Sequence, residues 1–77
     1  RQEGDKGDVD KQMRAADAEV VAGAPEKAFD RLIETMKTTA GDEKARVRER
    51  LLELFGLFEG NDPRVMEART KLASALY

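Results

Sequence analysis

The feature that most constrains this chain is a strongly apolar helical stretch near its centre, residues 45–58 (ARVRERLLELFGLF). Its large apolar residues recur at i, i+4, i+7, i+8 and i+11, which places them on one face of an α-helix; they are Val47, Leu51, Leu54, Phe55 and Phe58. Leu52 and Leu57 widen this stripe. A helix that is apolar around so much of its circumference must be covered on two sides, so we predict that the flanking segments form helices that wrap around it.

Two helices are predicted before this stretch. In the first, Val9, Met13, Ala16 and Val20 recur at helical spacing, and Gly23 is placed to end it. Pro25 suits the first position of the second helix. The buried face of that helix is predicted from its apolar residues, and the charged residues between them are expected to face water; the apolar residues are Ala28, Phe29, Leu32, Ile33 and Met36, and the charged ones are Lys27, Asp30, Arg31, Glu34 and Lys37.

The remaining boundaries follow from Asp, Gly and Pro. Asp42 is the expected N-cap of the central helix, and Gly60 its expected end. Asp62 and Pro63 are expected to cap and begin a last helix. Its predicted stripes are Val65, Ala68 or Arg69, Leu72 and Leu76, and beside them Met66, Ala73 and Tyr77. The fold class is therefore all-α, with four antiparallel helices in two stacked hairpins. Residues 1–8 are polar and aperiodic, so we expect a disordered lead-in or linker there and a four-helix domain over residues 9–77.

Composition excludes several classes of function. The chain has 77 residues with no His and no Cys, so it lacks the commonest general base, the commonest metal ligand and any thiol. We therefore expect no enzyme, no metal site and no cofactor. Charged residues make up 39% of the chain and their net charge is −2, which argues against binding to nucleic acid or to an anionic membrane. Glu43, Glu49 and Glu53 are interpreted as solvated surface, and Phe29, Phe55 and Phe58 as core.

The first two helices partly match the 34-residue tetratricopeptide pattern. Ala16, Gly23, Ala28 and Leu32 fall in register, and Ala40 and Gly41 stand where a Pro usually closes the repeat. Small residues at these positions would let the two helices cross closely. Glu19 occupies a position that most often holds an aromatic residue. The second hairpin keeps the shape without the motif residues and is interpreted as a capping unit.

Four segments together resemble one known tail: residues 23–32 (GAPEKAFDRL), 48–55 (RERLLELF), 61–65 (NDPRV) and 71–77 (KLASALY). This tail is the C-terminal end of the thioredoxin-like proteins that carry tetratricopeptide repeats, the chaperedoxins of the CnoX or YbbN type. The resemblance implies a holdase-type co-chaperone of the bacterial cytoplasm, with a chaperone or an unfolded client protein as partner. The redox Cys pair of a thioredoxin domain is absent from this chain, so only the partner-binding role could be inherited.

Two hypotheses for function follow. The first is a non-catalytic protein–protein interaction module, for which the candidate partner-binding residues are Met13, Asp17 and Val20 on the first helix and Arg69, Leu76 and Tyr77 on the last. The alternative is a structural capping and oligomerisation unit with no ligand of its own. Because repeats bury their faces by stacking, we also expect the face bearing Met13, Val20 and Val21 to be exposed or to pair in a homodimer. Gly56 is expected to permit close approach of a neighbouring helix.

Overall fold

The computed structural model describes the backbone of residues 2–76 and the side chains of residues 9–75. It contains four α-helices and, within that backbone, no strand; the helices are α1 (Gln2–Val21), α2 (Pro25–Lys37), α3 (Gly41–Phe55) and α4 (Pro63–Leu76). The prediction of an all-α fold with four helices is confirmed. Residues 2–8, where we expected a disordered lead-in, form the first turns of α1. Where the folded domain begins stays a prediction.

The turn between α1 and α2 is set by Gly23. Its φ of +89° lies in the left-handed region that favours glycine. The Ala24 amide donates to the Glu19 carbonyl at 2.8 Å and the Gly23 amide to the Val20 carbonyl at 3.1 Å, which is the Schellman arrangement. Pro25 then begins α2, as predicted. The two helices therefore form a tight hairpin.

The ends of α3 differ from the prediction. Ala40 is the N-cap and makes no side-chain capping bond, while Asp42 lies in the first turn; an acidic side chain is also favourable there, beside the helix N-terminus. At the other end Gly56, not Gly60, is the C-cap. A Cβ on Gly56 would meet the Glu53 carbonyl oxygen of the same chain segment at 3.3 Å and no neighbouring helix. The role expected for Gly56 in helix packing is therefore wrong, since the residue ends the helix instead.

Asp62 caps α4 as predicted. Its Oδ1 accepts a hydrogen bond from the Arg64 amide at 2.9 Å, and its carbonyl accepts one from the Met66 amide at 2.9 Å. The Arg64 guanidinium also donates to both carboxylate oxygens, at 3.1 and 2.9 Å. These hydrogen bonds from Arg64 hold the pKa of Asp62 below its usual value.

The centre of the fold is α2 rather than α3. α2 packs against each of the other three helices, whereas the close neighbours of α3 are α1 and α2. Two residues that widen the apolar stripe of α3 lie outside the core: Leu52 is 42% exposed, and Leu57, beyond the helix end, is 66% exposed. Sequence periodicity overestimated how much of α3 is covered, because only its Val47, Leu51, Leu54 and Phe55 face meets other helices.

The core is continuous through all four helices. Its aromatic part is built on Phe29, whose ring meets those of Phe55 and Phe58 edge-to-face, with centroids 4.9 and 5.9 Å apart. Phe58 is half-buried against this cluster. The residues of this core are Val9, Met13, Ala16, Ala28, Phe29, Leu32, Ile33, Met36, Val47, Leu51, Leu54, Phe55, Val65, Ala68 and Leu72.

Candidate functional site

The first candidate surface is formed by α1 and α3, the first helices of the two hairpins. Two ion pairs join them: Arg46 Nη2 lies 3.1 Å from Asp10 Oδ1, and Arg50 Nη1 donates to Asp17 Oδ2. Because residue 10 pairs with 46 and residue 17 with 50, the two helices run in the same direction. Arg50 Nε also lies 3.3 Å from Glu53 Oε1. We call this surface the α1–α3 face.

Two exposed apolar residues lie at one end of the α1–α3 face. Val21 is the last residue of α1 and is 87% exposed, and Leu57 follows the C-cap of α3. The parallel register set by the ion pairs places both near the carboxyl ends of their helices. Arg14 and Ala18 are exposed along α1, on the side of the helix that carries Asp17 and Val21. The face therefore has charged residues along its length and apolar residues at one end.

The partner-binding residues predicted from the sequence are divided among different environments. Met13 is 9% exposed and belongs to the core, so the expectation that it is exposed is wrong, while Val21 is exposed as expected. Val20 is half-buried against the core. Asp17 lies on the α1–α3 face in its ion pair with Arg50. The Arg69 guanidinium carbon lies 5.8 Å from the centroid of the Phe55 ring.

The last two predicted residues are at the end of the chain. The backbone of Leu76 ends α4, but its side chain lies outside the described part of the structure, and Tyr77 lies outside the described residues altogether. Arg69 lies on α4 and Asp17 lies on α1. These two helices do not pack closely within the described residues. The structure therefore does not unite the six predicted residues in one surface.

A second surface is a groove of about 860 Å³ along the outer side of the α1–α2 hairpin. At its centre Arg31 donates from Nε and Nη2 to the two carboxylate oxygens of Glu19, at 3.0 and 2.8 Å, and from Nη1 to Gln12 Oε1 at 2.7 Å. This hydrogen bonding holds the pKa of Glu19 below its usual value. Most of its lining residues are of polar or charged type, although their aliphatic parts also face the groove; they are Val9, Gln12, Glu19, Lys27, Asp30, Arg31, Glu34, Thr35, Thr38, Thr39 and Glu43.

Sequence reasoning missed this groove. It assigned Arg31 to the solvated side of its helix, whereas the side chain is half-buried between α1 and α2. The residue that could have indicated the groove is Glu19, which departs from the repeat pattern. A carboxylate placed where two helices cross requires a cationic partner, and that partner is Arg31.

The described side chains contain no group of three or more His, Cys, Asp or Glu residues placed to hold a metal ion. Among the helices that the structure describes, none is both long enough and apolar enough to cross a membrane. The chemistry available on the α1–α3 face and in the groove is hydrogen bonding, ion pairing and apolar contact.

The helical hairpins, with Ala16 of α1 and Ala28 of α2 fully buried, agree with a comparison to known families. A family model described as a tetratricopeptide repeat matches residues 1–77. The chain belongs to the tetratricopeptide repeat family. Tetratricopeptide repeats generally mediate protein–protein interactions, and they are generally not catalytic.

Relatives of this tetratricopeptide domain occur in mycobacteria. Uncharacterized protein Mb1359 of Mycobacterium bovis and uncharacterized protein Rv1324 of Mycobacterium tuberculosis are each 47% identical to it over 70 residues. The match covers 91% of this chain and 23% of each relative. The chain thus spans less than a quarter of the length of the curated relatives it matches. No solved structure matches it.

Proposed function

We propose that this tetratricopeptide domain is the C-terminal, partner-binding part of a thioredoxin-like holdase or co-chaperone of the cytoplasm. Its partner is a chaperone or an unfolded client protein, and its mechanism is non-covalent presentation of helix faces. Two observations support the proposal: membership of an interaction family and the resemblance of four segments to the chaperedoxin tail. The observation that carries it is the α1–α3 face, which combines ion pairs with two exposed apolar residues.

The α1–α3 face suits an unfolded client because such chains expose apolar side chains beside polar backbone. Val21 is 87% exposed and Leu57 is 66% exposed, so both side chains are available for apolar contact with a partner. Asp17 and Arg50 offer hydrogen bonds next to them. Met13 belongs to the core and Val20 is half-buried against it, so we assign neither to direct contact with the client. Arg69, Leu76 and Tyr77, from the last part of the chain, are assigned to contact with a chaperone.

An aggregation assay tests this proposal directly. The 77-residue chain should delay the aggregation of a chemically denatured reporter enzyme on dilution, and the double variant V21D/L57D should lose most of that effect. K37E is the matched control, because it lowers the net charge by the same amount at an exposed residue of α2 outside the α1–α3 face. If V21D/L57D folds and protects the reporter as well as the wild type does, the α1–α3 face is not the client surface.

A structural role is the second candidate, and the hydrogen-bonded polar side chains at the centre of the α1–α2 groove favour it. Terminal repeats need a polar outer face to stay soluble, and Arg31, Glu19 and Gln12 give this hairpin such a face. In this role the domain would cap and oligomerise a helical array as a homodimer. Light scattering at high micromolar concentration tests it: a strict monomer argues against oligomerisation, whereas a dimer that recovers no partner in a pull-down supports the structural role.

A further inference from the structure

A third surface lies on α3 and α4, on the side of α3 opposite to Arg50. Each helix contributes three exposed residues at the spacing i, i+3 and i+7, which puts them on one stripe; they are Ala45, Arg48 and Leu52 on α3, and Met66, Arg69 and Ala73 on α4. The stripes approach one another near the carboxyl end of α3, where Arg69 lies over the ring of Phe55, one turn along α3 from Leu52. We call these six residues the α3–α4 surface.

The α3–α4 surface is apolar and locally cationic. Leu52 and Met66 are 42% and 55% exposed, whereas Leu51 and Met36 are buried. Neither Arg48 nor Arg69 forms an ion pair with any side chain that the structure describes. Glu49 is the acidic residue beside Arg48 on α3. Although the net charge of the chain is −2, Arg48 and Arg69 therefore lie beside exposed apolar side chains without an ion-pair partner among the described side chains.

We propose that the α3–α4 surface binds an amphipathic helix of a partner protein whose apolar ridge is flanked by Asp or Glu residues. The apolar ridge would lie on Leu52 and Met66, with the small side chains of Ala45 and Ala73 leaving room for it. The flanking carboxylates would pair with Arg48 and Arg69. This inference rests on the interaction role proposed above, but it assigns a partner chemistry to a surface separate from the α1–α3 face.

A second copy of this chain fits the α3–α4 surface less well. A two-fold interface brings the same surface of both copies together, so it would collect Arg48 and Arg69 from each copy. Like charges in one interface oppose association. The charge of the surface therefore favours an acidic helix over self-association.

Two synthetic helices test the proposal. Each is about 18 residues long and carries the same Leu and Ala ridge, with Glu flanks in one and Lys flanks in the other. Isothermal titration should show that the 77-residue chain binds the Glu-flanked helix in preference to the Lys-flanked one, with affinity that falls as salt rises. The variant R48E/R69E should bind the Glu-flanked helix about tenfold more weakly and prefer the Lys-flanked one.

The control variant is K11E/K37E, which changes the net charge equally on exposed residues of α1 and α2 outside both proposed surfaces and should leave binding of the Glu-flanked helix unchanged. Circular dichroism checks that both variants keep their helices. Equal binding of the two synthetic helices, unchanged binding by R48E/R69E, or a concentration-dependent dimer that L52D/M66D abolishes would each overturn the proposal. A loss of reporter protection in V21D/L57D with retained helix binding supports two separate surfaces. The absence of reporter protection in the wild type counts against the holdase role alone, since helix binding is measured independently.

Discussion

Arg31 donates two hydrogen bonds to the carboxylate of Glu19, from Nε to Oε1 at 3.0 Å and from Nη2 to Oε2 at 2.8 Å. The pair joins α2 to α1 where the two helices face one another across the outer groove, and its side chains are only 36% and 21% exposed. Paired hydrogen bonds of this kind require the planar fork of an arginine and a defined orientation of both helices. The pair therefore fixes the relative position of α1 and α2 more strictly than apolar packing alone.

Replacing Arg31 by Lys should lower the free energy of unfolding by about 1 kcal/mol, because a single ammonium cannot replace the fork that spans Glu19 and Gln12. Urea denaturation followed by circular dichroism measures the change. The control is Lys37→Ala, which removes a pair with Glu34 that is exposed on both sides and should alter stability by less than about 0.5 kcal/mol. Equal effects of the two substitutions would show that the Arg31 pair has no special role.

Stability should fall in acid, and Glu19 should contribute to the fall. Its pKa is lowered chiefly by the hydrogen bonds from Arg31, so the ionised carboxylate is favoured in the folded state. The stabilisation is present above the unfolded pKa, which is about 4.3, and is lost as the pH falls through the lower folded value. Asp62 acts in the same direction through Arg64.

The Glu19→Gln variant checks this assignment. It should be less stable than the wild type at pH 7, and its free energy of unfolding should change less between pH 5 and pH 3, as measured by urea denaturation. Asp62→Asn, which can still accept the capping hydrogen bond, should be more stable than Asp62→Ala at neutral pH. An unchanged slope for Glu19→Gln in the acid range would remove Glu19 from this account.

Gly23→Ala should destabilise the domain by about 1 kcal/mol. Open space surrounds the position of a Cβ on Gly23, so the cost comes from its φ of +89° and not from a clash. Gly60→Ala is the matched control, since a Cβ there also meets open space and its φ lies outside the left-handed region. Thermal unfolding should separate the two variants. A Gly23→Ala domain as stable as Gly60→Ala would mean that the turn adopts another conformation.

Truncation of two adjacent leucines on α3 should reduce stability by different amounts. Leu51 is fully buried, so Leu51→Ala removes core contacts and should cost about 2–5 kcal/mol of stability. Leu52→Ala should cost less than about 1 kcal/mol, because that side chain is 42% exposed. Chemical denaturation of both variants measures the difference. Similar losses would place Leu52 in the core and contradict the position of α3.

Periodicity predicted the parts of the fold that depend on one helix at a time. The buried face of α2 and most of that of α3 follow from apolar spacing, and the turn at Gly23 and the cap at Asp62 follow from residues whose backbone preferences are local. The end of α3 was misplaced because residues 56–59 continue the apolar pattern after the helical hydrogen bonds stop. Periodicity shows how side chains are spaced along the chain. It does not show where the backbone hydrogen bonds of a helix end.

Relationships between helices could not be read from the sequence. The central position of α2, the Arg31–Glu19 pair and the exposure of Leu52 all depend on which helix faces which, and a single sequence does not contain that information. The predicted partner-binding set shows the same limit. Asp17 and Arg69 were correctly placed on helices. Met13 was assigned to a free surface because a stacked upstream repeat was expected to cover it, whereas it belongs to the core of this domain.

α4 has one extensive neighbour in the described structure, and that neighbour is α2. Undocking this last helix therefore disrupts chiefly its interface with α2, while α1, α2 and α3 retain their mutual contacts. Amide protons of α4 should accordingly exchange with solvent deuterium through a partial opening of lower free energy than the one that exposes α2. The domain would then consist of three helices that stay folded together and a fourth that separates from them, and the Lys71–Asp30 ion pair between α4 and α2 would break as it does so.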